Sequence, residues 1–151
     1  MEIHATPAAG LVSTRAATNP SIRFHEAVPP AVLVDYTSSA DVGLCLIEDT
    51  CLSYRYCMPN KLFEYFAAGV PPIVSNLPEL ARVVGTDDSG WVAERWSSEA
   101  VADIVRRISR RDVADKIEAV ARTARRYTWE DQVPKLRELY GRLGFEASAA
   151  G

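Results

Sequence analysis

Hydrophobic positions along the chain change period once. From residue 21 to about residue 94, short apolar runs alternate with amphipathic stretches, and beyond that only the helical period remains. SIRFHEAV (21–28) reads as a strand, and PPAVLVDYTSSA (29–40) as a helix opened by prolines, which a first turn tolerates. DVGLCLIE (41–48) is almost continuously apolar, as in a strand covered on both faces. A short helix beginning near Pro59 follows and stops where Gly69 supplies a left-handed C-cap and Pro71 prevents continuation. PPIVSN (71–76) is the next buried strand, PELARVV (78–84) a short helix and GWVAE (90–94) a fourth strand.

The last third is helical. Val101, Ile104, Val105 and Ile108 recur at helical spacing behind SSEA, which supplies a cap and an acidic first turn. Val113, Ile117, Val120, Ala121 and Ala124 repeat the pattern. TWED has the form of a capping box, Thr128 with Asp131, and leads into Val133, Leu136, Tyr140 and Leu143. Strands alternating with helices require crossovers, so the pattern predicts an α/β fold with a mainly parallel sheet and a helical C-terminal third. The expected organisation is an irregular segment over 1–20, one domain over 21–145 and a frayed tail over 146–151.

A length of 151 residues suits one domain, enough to bury roughly 70% of the unfolded surface. A net charge of −3 argues against a general nucleic-acid binder. No stretch has the length of apolar sequence that a membrane span needs, and MEIHATPAAG lacks the basic and apolar regions of a signal peptide. Cys45, Cys51 and Cys57 are an odd set without the close pairing of a zinc site, which fits reduced thiols in a cytoplasmic protein and no metal. Arg106, Arg107, Arg110, Arg111, Arg122, Arg125 and Arg126 make the helical third basic. A solvated face accounts for them, and a phosphate or membrane-surface role stays open.

The helix after Pro59 carries the candidate chemistry. At about 100° per residue, Leu62, Phe63, Tyr65 and Phe66 fall on one broad face, and Lys61, Glu64 and Ala68 fall opposite. A lysine in a first turn opposes the helix dipole and costs about a few tenths of a kcal/mol. A lysine three residues before a glutamate is also the weaker order for a side-chain pair. Both costs disappear if an anion sits at the helix start, since a helix N-terminus with a lysine is a phosphate site in outline. The helix also follows a buried strand, so its N-terminus lies at the carboxyl end of the sheet, where open α/β folds bind ligands. The connection of about ten residues ahead of it is longer than such loops usually are.

MPNKLFEYFAAGVPPIVSNLPELARVV, with GWVAE and YTWED behind it and IRFHEAVPPAVLVDYTSSADVGLCLIED ahead, resembles the C-terminal half of a two-domain (GT-B) retaining glycosyltransferase of the family 4 type. The resemblance runs from about Ile22 to Arg142, and the Pro-Asn-Lys-Leu-Phe-Glu-Tyr block is its specific part. It implies a three-layer Rossmann-like domain that binds a nucleotide-diphosphate sugar, with no cofactor and no metal. By position, Glu64 would hold the ribose hydroxyls, since a carboxylate can accept from two vicinal hydroxyls. The backbone of Asn60, Lys61 and Leu62 would face the diphosphate, and Ala27 or Val28 the base. Many members carry a further glutamate at the position of Tyr56, so the sugar contact here would pass to Tyr56 itself, Tyr54 or Glu48.

The resemblance further implies an acceptor-binding N-terminal domain or partner chain, and the basic pair of the family's first loop is not visible, Arg15 and Arg23 being poor substitutes. Expected partners are thus a nucleotide sugar and the acceptor half, with no nucleic acid. Peripheral membrane association of the whole enzyme and self-association stay open. A stand-alone nucleotide-sugar-binding module is the non-enzymatic alternative. A nucleotide-sugar 2-epimerase is disfavoured because no Arg-Pro-Glu segment is present.

Overall fold

The strands form where apolar runs can be covered on both sides. The computed structural model describes residues 21–23 and 25–143, so the expected irregular segment 1–20 and frayed tail 146–151 lie outside the described residues. β1 (Gly43–Cys45), β2 (Pro72–Ser75) and β3 (Trp91–Ala93) lie side by side in chain order, all parallel. Leu44 pairs with Ile73 and Ile73 with Trp91, while Cys45 pairs with Val74 and Val74 with Val92. Successive side chains point to opposite faces. Cys45, Val74 and Val92 therefore meet one layer of helices, and Leu44, Ile73 and Trp91 face the other way. Ile73 and Val74 are both fully buried, which is why β2 reads as an unbroken apolar run. This is an α/β Rossmann-like fold with a helical C-terminal portion.

The helices are α1 (Pro30–Thr37), α2 (Leu52–Arg55), α3 (Asn60–Ala67), α4 (Pro78–Thr86), α5 (Ser98–Arg107), α6 (Arg110–Arg126) and α7 (Trp129–Arg142). Leu62 and Phe66 of α3, Leu80, Val83 and Val84 of α4, and Val120 of α6 close over Cys45 and Val74 in one core. The cap ahead of α5 forms as expected, Ser97 accepting from the Ala100 amide. At α7 only half of the expected box is made: the Thr128 hydroxyl accepts from the Asp131 amide. The reciprocal box is at α6 instead, between Ser109 and Asp112. Those hydrogen bonds hold the Asp112 carboxyl below its ordinary range.

One expected element is absent. Among the described residues the sheet has three strands rather than four, and SIRFHEAV forms no strand. A strand needs a ladder partner, and none is offered. Gly43 donates to Pro71 on the β2 side, so Leu44 points its carbonyl outward from the sheet edge, where it accepts the Tyr65 hydroxyl at 3.2 Å. The long connection before α3 is also not free loop, since it contains the turn α2.

Two glycines fix α3 on this sheet. A Cβ on Gly43 would lie 2.6–2.7 Å from three carbons of the Tyr65 ring, so the ring rests directly on the β1 backbone. At the other end Gly69 has φ of 73°, its amide bonds Phe66 and the Val70 amide bonds Tyr65, which is a Schellman motif. The turn after α4 is tied to α6 by side chains. Asp87 accepts from the Thr123 hydroxyl at 2.7 Å and pairs with Arg126, and Lys116 bonds Asp88 at 2.6 Å while lying over the Trp91 ring.

Glycine-to-alanine substitutions separate these effects by chemical denaturation. Gly43→Ala should destabilise by about 3 kcal/mol, because the body of a ring rather than a flexible tip must move. Gly69→Ala meets no atom within 4 Å and should cost only the left-handed backbone penalty, about 1 kcal/mol. Equal costs at the two positions would mean that Tyr65 does not anchor α3. Asp87→Ala should cost about 2 kcal/mol, since it strands the buried Thr123 hydroxyl.

Candidate functional site

The first turn of α3 is assembled by what its other face buries. Leu62 is fully buried and Phe66 nearly so, Phe63 stacks against Tyr127 at 5.2 Å between ring centres, and Tyr65 sits on Gly43. Those four side chains consume the apolar arc and turn Lys61 and Glu64 outward together. Lys61 is exposed and Glu64 half-buried, and neither carboxylate nor ammonium finds a hydrogen bond or ion pair among the described residues. The helix start is also uncapped: Pro59, the N-cap residue, supplies no side-chain acceptor. Of the three amides expected to face an anion, that of Leu62 is already donated to the Pro59 carbonyl at 3.0 Å. The amides of Asn60 and Lys61 remain at the open end.

Parallel strands place this helix start at the carboxyl end of the sheet, beside the end of β1. There the Ile47 amide donates to the buried Ser75 hydroxyl at 2.7 Å, which closes the chain exit from β1 against β2. Asn76 and Glu94, just beyond β2 and β3, are joined at 3.1 Å along the same edge. Sequence reasoning passed over Ser75, Asn76 and Glu94; the signal available was a polar residue ending an otherwise fully apolar run.

The remaining candidates surround α3 unevenly. Tyr54 lies in α2 and Tyr56 is its C-cap, and both residues are more than half exposed. Cys57 and Met58, immediately after, pack against the core and hold this turn next to the α3 N-terminus. An Arg55–Asp49 ion pair at 3.5 Å braces its far side. Glu48 is exposed, and its carbonyl accepts from Thr50 in the turn leading to α2. Ala27 and Val28 lie on the separate segment entering α1, which packs on α3. No hydrogen bond among the described residues joins them to Lys61 or Glu64. The structure thus gathers Asn60, Lys61 and Glu64 on one helix with Tyr54 and Tyr56 beside them, while Leu62 contributes a core side chain.

The thiols near the site are poor nucleophiles. Burial pushes Cys45 up to about 11, with Lys61 opposing the shift from the α3 side. Burial likewise raises Cys57. Both are therefore neutral thiols near pH 7. Among the described residues no three His, Cys, Asp or Glu side chains converge as a metal site. What the arrangement offers is a cation, open backbone amides and a carboxylate within one helical turn, a set able to bind an anion and a diol together.

Comparison with known proteins gives the same direction. A phosphatidyl-myo-inositol mannosyltransferase of Mycobacterium leprae (strain TN) is 30% identical over 95 residues, covering 56% of this chain and 25% of that relative. The chain therefore spans about a quarter of the curated relative it matches. The family model for group 1 glycosyl transferases matches residues 6–111, well over half of the chain and including every candidate site residue. The protein belongs to the group 1 glycosyltransferases.

Proposed function

We propose that α3 is the donor-binding element of a retaining glycosyltransferase that uses a nucleotide-diphosphate sugar. The observation that carries this reading is the pair Lys61 and Glu64, set outward without partners among the described residues at an uncapped helix start on the carboxyl edge of a parallel sheet. The Asn60 and Lys61 amides and the Lys61 ammonium receive the diphosphate. Glu64, one turn further on, accepts from the two ribose hydroxyls. The base lies toward Ala27 and Val28, and the sugar toward Tyr56, Tyr54 and Glu48. Leu62, whose amide is engaged by Pro59, acts by seating the helix.

The chemistry follows from charge. Breaking the glycosidic bond leaves a nucleoside diphosphate that gains negative charge as the sugar departs. Fixed donors and a cation aimed at that charge stabilise the transition state more than the ground state. No cofactor and no metal enter this scheme. The acceptor, a saccharide or a lipid-linked saccharide, must be held against the sugar, and we assign no residue of 21–143 to that task. Transfer in this reading needs protein beyond these residues.

Calorimetric titration of UDP, GDP and dTDP tests the site. Hydrogen bonds to a charged group contribute roughly 1.5–3 kcal/mol, so Glu64→Ala should weaken the preferred nucleotide roughly ten- to hundredfold. Its melting temperature should hold, because the Glu64 side chain leaves no core cavity. If Glu64→Ala instead unfolds the chain and the residual folded fraction binds normally, the carboxylate is structural. Lys61→Ala should weaken diphosphates more than nucleosides, and the difference should shrink with added salt. Equal loss for nucleoside and diphosphate would remove Lys61 from the phosphates.

A further inference from the structure

Nothing in donor binding uses the arginines at the corner between α5 and α6. Residues 103–111 hold four cations, Arg106, Arg107, Arg110 and Arg111, against one carboxylate, in a chain whose net charge is −3, while Asp112, Asp115 and Lys116, the last paired with Asp88, follow on α6. The carboxylates are engaged locally. Asp103 pairs with Arg106 at 2.6 Å, Asp115 lies 3.9 Å from Arg111, and Asp112 is bound within its capping box. Arg110 is exposed and has no carboxylate partner among the described residues, and the Arg111 side chain is 90% exposed. The helix break at Ile108, where the backbone turns extended, puts the last turn of α5 and the first of α6 at one corner.

Apolar surface lies against the same corner. A shallow cleft of about 370 Å³ is lined by Trp91, Ile104, Ile108, Arg107 and Asp112. It adjoins the first residue of β3, the opposite end of the sheet from the α3 site. An indole and two isoleucines beside the Arg107 guanidinium, with further arginines at the adjoining corner, make a surface suited to the boundary between lipid head groups and acyl chains. Arginine binds phosphate bidentately there, and tryptophan prefers that depth. Nucleic acid fits less well, since no stacking platform of successive exposed aromatics accompanies the arginines. No described helix is long and apolar enough to cross a membrane, so contact here would be peripheral.

We propose that the Arg106–Arg111 corner with its Trp91–Ile104–Ile108 cleft is a docking surface for an anionic phospholipid bilayer. The charge supplies the attraction and the preference for anionic lipid; the cleft supplies shallow apolar contact. Each arginine at such a surface is worth roughly a fivefold change in partitioning. The surface is separate from α3, so it stands or falls independently of donor binding.

The test is co-sedimentation of the full chain with vesicles of phosphatidylcholine alone and of phosphatidylcholine and phosphatidylglycerol in equal parts. Binding is expected only to the anionic vesicles and should fall with salt. Arg106→Gln with Arg110→Gln should reduce it by at least roughly tenfold. The melting temperature and nucleotide titration should be unchanged, because both side chains are exposed. Lys135→Gln with Arg142→Gln on α7, equally exposed cations elsewhere, should leave vesicle binding intact. Absence of anionic-vesicle binding at low salt, or equal loss in both double variants, overturns the proposal. So does retention on single-stranded RNA with no preference for vesicles, which would assign the corner to nucleic acid.

Discussion

The Tyr65 ring lying on Gly43 is the contact from which the rest of the site follows. Because Gly43 has no Cβ, α3 approaches β1 closely enough for the Tyr65 hydroxyl to reach the Leu44 carbonyl. That hydrogen bond occupies an outward-facing edge acceptor, and the ring fixes the helix both in height and in rotation. Rotation matters most. With Tyr65 down, Leu62 and Phe66 must enter the core, and Lys61 and Glu64 must face solvent on the remaining arc. The Schellman turn at Gly69 then sends the chain straight into β2, so the helix is pinned at its C-terminus while its N-terminus stays open.

The open end of α3 contributes little to the stability of the fold. A lysine beside a positive helix end is mildly unfavourable, and among the described residues the Glu64 carboxylate and the Asn60 and Lys61 amides have no partner and are left to water. Under the proposed reading, an anion and a diol would satisfy these groups together. Stability is supplied elsewhere: by the Val74–Leu62–Phe66–Val120 core and by the Asp87–Thr123–Arg126 tie that holds α6 against the turn after α4. The core and this tie thus leave Lys61 and Glu64 outside the contacts that hold the fold together.

Much of this was legible in the sequence, for reasons that can be named. The nearly continuous apolar runs in 41–48 and 71–76 identified two strands, β2 buried on both faces and β1 with Leu44 half-buried at the sheet edge, and the spacing of Leu62 and Phe66 oriented α3. Gly69 before a double proline marked the left-handed turn. What propensity could not show was pairing. SIRFHEAV has strand-like composition, but a strand exists only with a neighbour, and Leu44 directs its edge carbonyl to a tyrosine. The Thr128–Asp131 and Ser109–Asp112 pairs look alike as spacings, and only local geometry completes the second. Ser75, Asn76 and Glu94 were missed because their significance lies in where three parallel strands end together. The hydrogen bond from the Leu62 amide to Pro59 was not legible either, because an amide's partner is a matter of first-turn geometry.

Amide hydrogen exchange on the protein with and without a saturating nucleoside diphosphate tests the central claim most directly. Donor binding at α3 predicts new protection concentrated at Asn60 and Lys61, with little change at Leu62, whose amide is already bonded to Pro59. It also predicts no change around Trp91 and Ile108 at the opposite end of the sheet. Protection centred on that opposite end, with Asn60 and Lys61 exchanging as fast as in the free protein, would contradict it.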